Sequence, residues 1–185
     1  MAWMMKPYFW LGYSWGGRIA TEVTINHPEI VKGLVIANSN PIPSQPSPEA
    51  LKRREDMLAL LRKNDIKKYA EMATEAAFSP NFKQKNPKAY DQYLKVKQSN
   101  KPDGVLRAME GSVASTQKPD LSQIKCPVLI IVGEFDKNMG PEQGKQLQAA
   151  ISGSKLVVLP TGHAAAVEAP AQFNQAVLDF TKSVG

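Results

Sequence analysis

The chain is short of the residues that mark secreted, membrane-spanning and nucleic-acid-binding proteins. Cys126 is its only cysteine, which excludes a disulfide within the chain. No apolar run approaches the roughly 20 residues that a membrane-spanning helix needs. Met1 to Lys6 is too short for a signal peptide and has no basic leader before its apolar part. These absences lead to the expectation of a cytoplasmic location. Basic residues are not scarce, but they lack the aromatic or glycine-rich interleaving of a nucleic-acid module, so no nucleic-acid partner is expected. There is no internal repeat and no low-complexity tract. Only two histidines occur, His27 and His163, which limits the choice of any imidazole base to two positions.

What is present is ordinary for a globular domain: 43% hydrophobic residues in 185, enough to bury a core. The net charge of +6 comes largely from the middle of the chain, in segments such as Lys52-Arg53-Arg54, Lys67-Lys68 and Lys83-Gln84-Lys85. Acidic residues alternate with these at helical spacing, which reads as solvated helix faces. Cys126 lies at the mouth of an apolar run and reads as a packing residue.

Three blocks follow one another. In residues 7–40, an apolar run from Pro7 to Leu11 reads as a buried strand. A helix from Trp15 to Asn26 follows, with Ile19, Ala20, Val23 and Thr24 inward, and His27-Pro28 ends it. Lys32 to Asn38 is a second strand, which makes a parallel β-α-β unit. Residues 41–119 open on a proline-rich stretch, then on Ser47-Pro48-Glu49 as a helix start. Further helices are expected around Ile66–Ala77, Pro87–Gln98 and Gly104–Thr116, and this block reads as a helical cap inserted into the core. Residues 120–185 hold strands at Pro127–Gly133 and Ser154–Pro160, and helices at Pro141–Ile151 and Pro170–Val184, the last with Phe173, Val177, Leu178 and Phe180 inward. Apolar strands alternating with helices indicate an α/β fold with a parallel sheet covered on both faces.

Gly12-Tyr13-Ser14-Trp15-Gly16-Gly17 lies between the first strand and the first helix. G-x-S-x-G in a strand–turn–helix context is the signature of a nucleophile elbow, which makes Ser14 the candidate nucleophile. A serine hydroxyl needs a base in hydrogen-bond reach and an acid to orient that base. His27 ends the helix that leaves the elbow and so points to the wrong end of the sheet. His163 follows the last strand, where loops at the carboxyl ends of parallel strands converge, and is the candidate base. Asp136, in Gly133-Glu134-Phe135-Asp136 after the preceding strand, is the candidate acid, with Glu134 as the alternative. Asn38 ends the second strand but carries no carboxylate. Tyr13 and Trp15 flank Ser14 as candidate pocket residues.

These segments resemble the α/β-hydrolase superfamily in its capped esterase and enol-lactonase-like branch. The resemblance rests on Leu11–Gly17 with His27-Pro28-Glu29, on Val128–Asp136, and on Gly162-His163-Ala164-Ala165-Ala166-Val167-Glu168-Ala169-Pro170. It implies a Ser14–Asp136–His163 catalytic triad in a core of residues 7–40 and 120–185. It also implies a cap at residues 41–119, and Trp15 as the donor of one oxyanion-hole N–H. Gly-Tyr-Ser-x-Gly-Gly-Arg also occurs in menaquinone-pathway lyases of this fold; Arg18 reads as a surface helix residue, with contact to an anionic substrate as the alternative that this resemblance implies. Members of the superfamily carry several strands and helices before the elbow strand, so the expected fold is an N-terminally truncated α/β-hydrolase sheet. The elbow strand would then be an apolar sheet edge, expected to be covered by a second copy of the chain as a homo-oligomer. The implied function is cleavage of small carboxylic esters, with no metal and no organic cofactor. The alternatives are a lyase or carbon–carbon hydrolase of the same fold, or a weakly active oligomerising half-hydrolase.

Overall fold

Four strands form one sheet in the order β1-β2-β3-β4, with every neighbouring pair parallel. They are β1 (Tyr8–Tyr13), β2 (Val31–Ala37), β3 (Val128–Gly133) and β4 (Lys155–Leu159). The computed structural model describes residues 6–42, 46–114 and 118–185. The expectations for Met1–Met5, for Pro43 to Gln45 in the proline-rich stretch and for Thr116 fall outside the described residues. The chain divides into two units, residues 1–42 with 118–185 and residues 43–117.

In the first unit, β2 and β3 are central and almost wholly buried, as expected of strands whose two faces are both covered. On one face Leu34, Ile36, Ile130 and Val132 pack with Ala20 of α1 (Trp15–Asn26) and Leu147 of α7 (Pro141–Ala150). On the other, Val35, Ala37, Leu129 and Ile131 pack with Phe173 and Phe180 of α9 (Pro170–Val184). Each large apolar side chain buried in this way contributes about 1.5–3 kcal/mol. The alternation of strand residues between two helical layers therefore holds the strand ends in place.

Details of facing depart from the sequence reading. The first strand is not buried: it lies at the sheet edge, and Tyr8 and Leu11 are 61% and 48% exposed. On α1, Ala20 and Thr24 are buried as expected, but Ile19 is 50% exposed and Thr21 is buried in its place. The Thr21 and Thr24 hydroxyls donate to Gly17 O at 2.8 Å and Ala20 O at 2.7 Å, so burial leaves neither polar group unpaired. The face of α1 is set by the close approach of Gly17 to Ser39, where a Cβ would collide, rather than by the positions of its largest apolar residues. On α9, Leu178 is 51% exposed while Ala176 turns toward the core.

The second unit is helical: α2 (Pro48–Arg62), α3 (Ile66–Ala77), α4 (Phe82–Lys85), α5 (Pro87–Gln98) and α6 (Pro102–Ala114). Ser47 Oγ accepts from Ala50 N–H at 3.2 Å and Pro48 is the first residue of α2, a capped start. Asp65 caps α3 in the same way, accepting from Lys68 N–H. Phe78 stacks on Phe82 with ring centroids 4.4 Å apart and meets Tyr93 edge-on at 4.9 Å. Among the described residues no helix is long and apolar enough to cross a membrane.

Candidate active site

The site begins at the carboxyl end of β1. Ser14 closes the step from β1 to α1 with φ 52° and ψ −124°, a conformation that is strained for any residue with a Cβ. Its N–H donates to Ala37 O at 3.0 Å, which extends the β1–β2 ladder by one rung. The turn can form because Gly12 has no side chain: a Cβ there would collide with Gly16 O and Gly17 Cα. Strand end and helix start thus approach closely, and the serine hydroxyl projects from the apex. Trp15 is the first residue of α1, so no helical carbonyl precedes it to accept from its N–H.

His163 arrives from the other side of the sheet, in the loop after β4. Its Nε2 is 2.9 Å from Ser14 Oγ, and its Nδ1 is 2.8 Å from Asp136 Oδ2. Asp136 follows β3 and its side chain is fully buried. Its Oδ1 accepts from Asn138 N–H at 2.9 Å, and its Oδ2 also accepts from the Asn38 amide at 3.0 Å. Burial by itself pushes the Asp136 carboxyl upward. The hydrogen bond and charge of His163, then the donors from Asn138 and Asn38, outweigh it and hold the group below its ordinary value. An ionised carboxylate can only accept, so Nδ1 carries the proton, and in the uncharged tautomer with that proton Nε2 has its lone pair toward Ser14.

The loops of the acid and the base are locked together. Phe135 N–H donates to Thr161 O at 2.9 Å. Gly133 lies so close to the Thr161 and Gly162 carbonyls that a Cβ would not fit. Glu168, the last residue of the short α8 (Ala165–Glu168), accepts from Gly162 N–H at 2.6 Å and ties the backbone just before His163. Tyr13 stands beside the site with its ring 5.2 Å from the His163 ring.

Ser14, Asp136, His163 and Tyr13 are thus gathered within one unit. Trp15 lies next to Ser14 with its side chain exposed. Glu134 is exposed at the end of β3, and its N–H continues the sheet to Leu159 O. His27 caps the far end of α1, where it faces Glu29 at 3.5 Å. Two residues at the site were not singled out for a role from sequence: Asn38, dismissed for want of a carboxylate, and Glu168, which appeared only inside a motif. Their signal was position. Asn38 directly follows a buried strand, and Glu168 lies one helical turn after the base loop.

Residues 5–170 match the model of the alpha/beta hydrolase fold, and the chain belongs to that family. It is 27% identical over 166 residues to 3-oxoadipate enol-lactonase 2 of Acinetobacter baylyi, covering 90% of this chain and 60% of the lactonase. It is 25% identical to the pimeloyl-acyl-carrier-protein methyl ester esterase of Yersinia enterocolitica, covering 94% of this chain and 69% of that enzyme. Among solved structures it superposes on a thermophilic esterase from Thermogutta terrifontis with a TM-score of 0.82 at 25% identity, over 97% of this chain and 66% of the esterase. These three relatives are named as hydrolases, and the chain spans between 60% and 69% of their length.

Proposed function

We propose that the protein is a serine hydrolase that cleaves small carboxylic esters through an acyl-enzyme. The observation that carries this reading is the continuous chain from Ser14 Oγ through His163 to Asp136, at 2.9 and 2.8 Å, built on a strained turn. The ester class is supported by the lactonase and esterase relatives, since a lactone is a cyclic ester.

In this reading Ser14 Oγ attacks the ester carbonyl carbon while its proton passes to His163 Nε2. The carbonyl oxygen becomes an oxyanion and receives the Trp15 N–H at the start of α1, where the helix dipole also favours negative charge. Asp136 stabilises the imidazolium and keeps its orientation. The tetrahedral intermediate collapses, the C–O bond to the alcohol breaks, and the alkoxide takes the proton from His163. A water molecule then adds to the acyl carbon, giving its proton to His163. The second intermediate collapses with loss of its C–O bond to Ser14 Oγ, which takes that proton back from His163 as the carboxylic acid leaves. No metal or organic cofactor is called for.

The test is hydrolysis of short-chain p-nitrophenyl esters by the purified chain, with Ser14→Ala as control and a fluorophosphonate probe as a separate readout. Turnover that disappears in the variant, with labelling confined to Ser14, is expected. An unlabelled Ser14 with no serine-dependent turnover would reject the reading in favour of a binding module.

We further propose that a second copy of the chain covers the outer edge of β1. Among the described residues this strand pairs only with β2, and it exposes Tyr8 and Leu11, which makes it a template for another strand. Light scattering at micromolar concentration should show a dimer or larger species, and a strict monomer would reject the proposal.

A further inference from the structure

We infer that Asn38 is a positioning residue that sets the geometry of the Asp136–His163 pair by holding the acid loop and the base loop with one amide group. The inference rests on the serine-hydrolase reading for its effect on rate, but its structural basis is independent of that reading. Asn38 Nδ2 lies 3.0 Å from Asp136 Oδ2 and 3.4 Å from Gly162 O. Both neighbours are acceptors, so chemistry alone requires the NH₂ end of the amide to face them, and its two hydrogens serve two different loops. One bond reaches the same carboxylate oxygen that receives His163 Nδ1–H. The other reaches the residue immediately before His163.

This arrangement is maintained against two opposing terms. Asn38 has φ 46°, in the left-handed region that a residue with a Cβ rarely enters, although asparagine tolerates it best. Its Oδ1 is buried and has no hydrogen-bond partner within the protein, while the whole residue is 1% exposed. An asparagine serving only the packing of the strand end would satisfy its own carbonyl. Here the acceptor is left unpaired while both donors are used on the residues that aim the imidazole. The backbone is held at the same time, since Asn38 N–H donates to Ile131 O at 2.8 Å as the last rung between β2 and β3. The amide is thus fixed to the sheet, and the acid and base loops are both held to the amide.

The effect is expected on kcat and not on substrate affinity, because Asn38 is sealed behind Asp136. Asn38→Gly keeps the left-handed backbone and removes both donors. It should lower kcat about 10-fold, the scale of one hydrogen bond to a charged group, with KM within about twofold. Asn38→Asp keeps the size but sets a second acceptor against Asp136, and should lower kcat further. The readout that a purely structural role would not move is the downfield proton resonance of His163 Nδ1–H in its bond to Asp136. It should be weakened or lost in both variants while the folded spectrum persists. Wild-type kcat in Asn38→Gly would overturn the inference, and so would a fall in kcat with the resonance unchanged. The resonance needs no turnover, so it judges Asn38 even where Ser14→Ala and the fluorophosphonate probe have rejected the hydrolase reading.

Discussion

The two ends of the sheet are built from the same strands and differ in almost every other respect. At the carboxyl end, Ser14 and Asn38 both hold positive φ, Asp136 is buried as a carboxylate, and the hydroxyls of Ser39 and Thr161 are buried with no partner within the protein. At the amino end, a cavity of about 310 Å³ is lined by Thr24, Pro28, Val31, Lys32, Lys125 and Cys126. There the polar groups are relaxed: Thr24 is satisfied by Ala20 O, Lys125 reaches Ser122 O at 2.7 Å, and His27 meets Glu29 in solvent. The contrast teaches that the two ends of one sheet can differ in backbone strain and in buried polar groups while sharing the same strands. Among the described residues of the sheet, positive φ and unpaired buried polar groups, each costing on the order of 1–3 kcal/mol, gather at the carboxyl end around Ser14, Asn38, Ser39 and Thr161; in the helical unit Asn64 and Asn81 also hold positive φ and Thr74 buries an unpaired hydroxyl.

The two histidines give the strongest way to break this contrast. His163→Gln should reduce ester turnover by about 10³-fold or more, while His27→Gln should leave kcat and KM unchanged. Equal losses in steady-state assays would mean that the ends are not functionally distinct. A smaller but still large effect is expected on folding. Gly12→Ala drives a Cβ into the backbone of Gly16, so the elbow must open, and stability should fall by about 2–3 kcal/mol in urea unfolding. An unchanged midpoint would show that the strand–helix approach is looser than described.

The buried acid sharpens the contrast through pH. The folded-state pKa of Asp136 is depressed, so the unfolded chain binds more protons in the acid range. The stabilisation from its ionised form is therefore complete above the ordinary carboxylate range and is lost as pH falls through the depressed folded value. The stability gap between the wild type and Asp136→Asn should be widest near neutral pH and shrink as pH falls below the ordinary carboxylate range. A gap that does not change with pH would mean the His163 contact does not hold the group ionised. The smallest effect is expected at the amino end. Burial pushes the Cys126 thiol upward, so it should react with iodoacetamide more slowly in the folded than in the unfolded chain at neutral pH. Cys126→Ala should change stability by about 1 kcal/mol or less and leave turnover untouched. Loss of turnover there would place chemistry at the wrong end of the sheet.

Much of the carboxyl end was legible in sequence because its signals are local. Ser14 sits in a turn whose glycines are spaced for a close strand–helix approach, and Asp136 and His163 each follow an apolar, β-branched run. The facing of Ile19 and Leu178 was not legible. Hydrophobicity says that these residues favour burial, but which face of a helix meets the sheet is decided by Gly17 against Ser39 and by the ring of Phe180 against Phe9. The short helices α4 and α8 were missed because one turn of helix has too few residues to show a period.

The sequence by itself determined the alternation of strands and helices, the elbow, and the order Ser14, Asp136, His163 along the chain. Those features follow from periodicity and from turn chemistry within a few residues. Only the tertiary structure decided which residues of α1 face the sheet, that Asn38 spans two loops, and that Glu168 ties the backbone before His163. Asn38 and Gly162 are 124 residues apart in the chain. Their hydrogen bond exists only because three strands lie parallel and in register, so that their carboxyl ends open onto the same few ångströms of space.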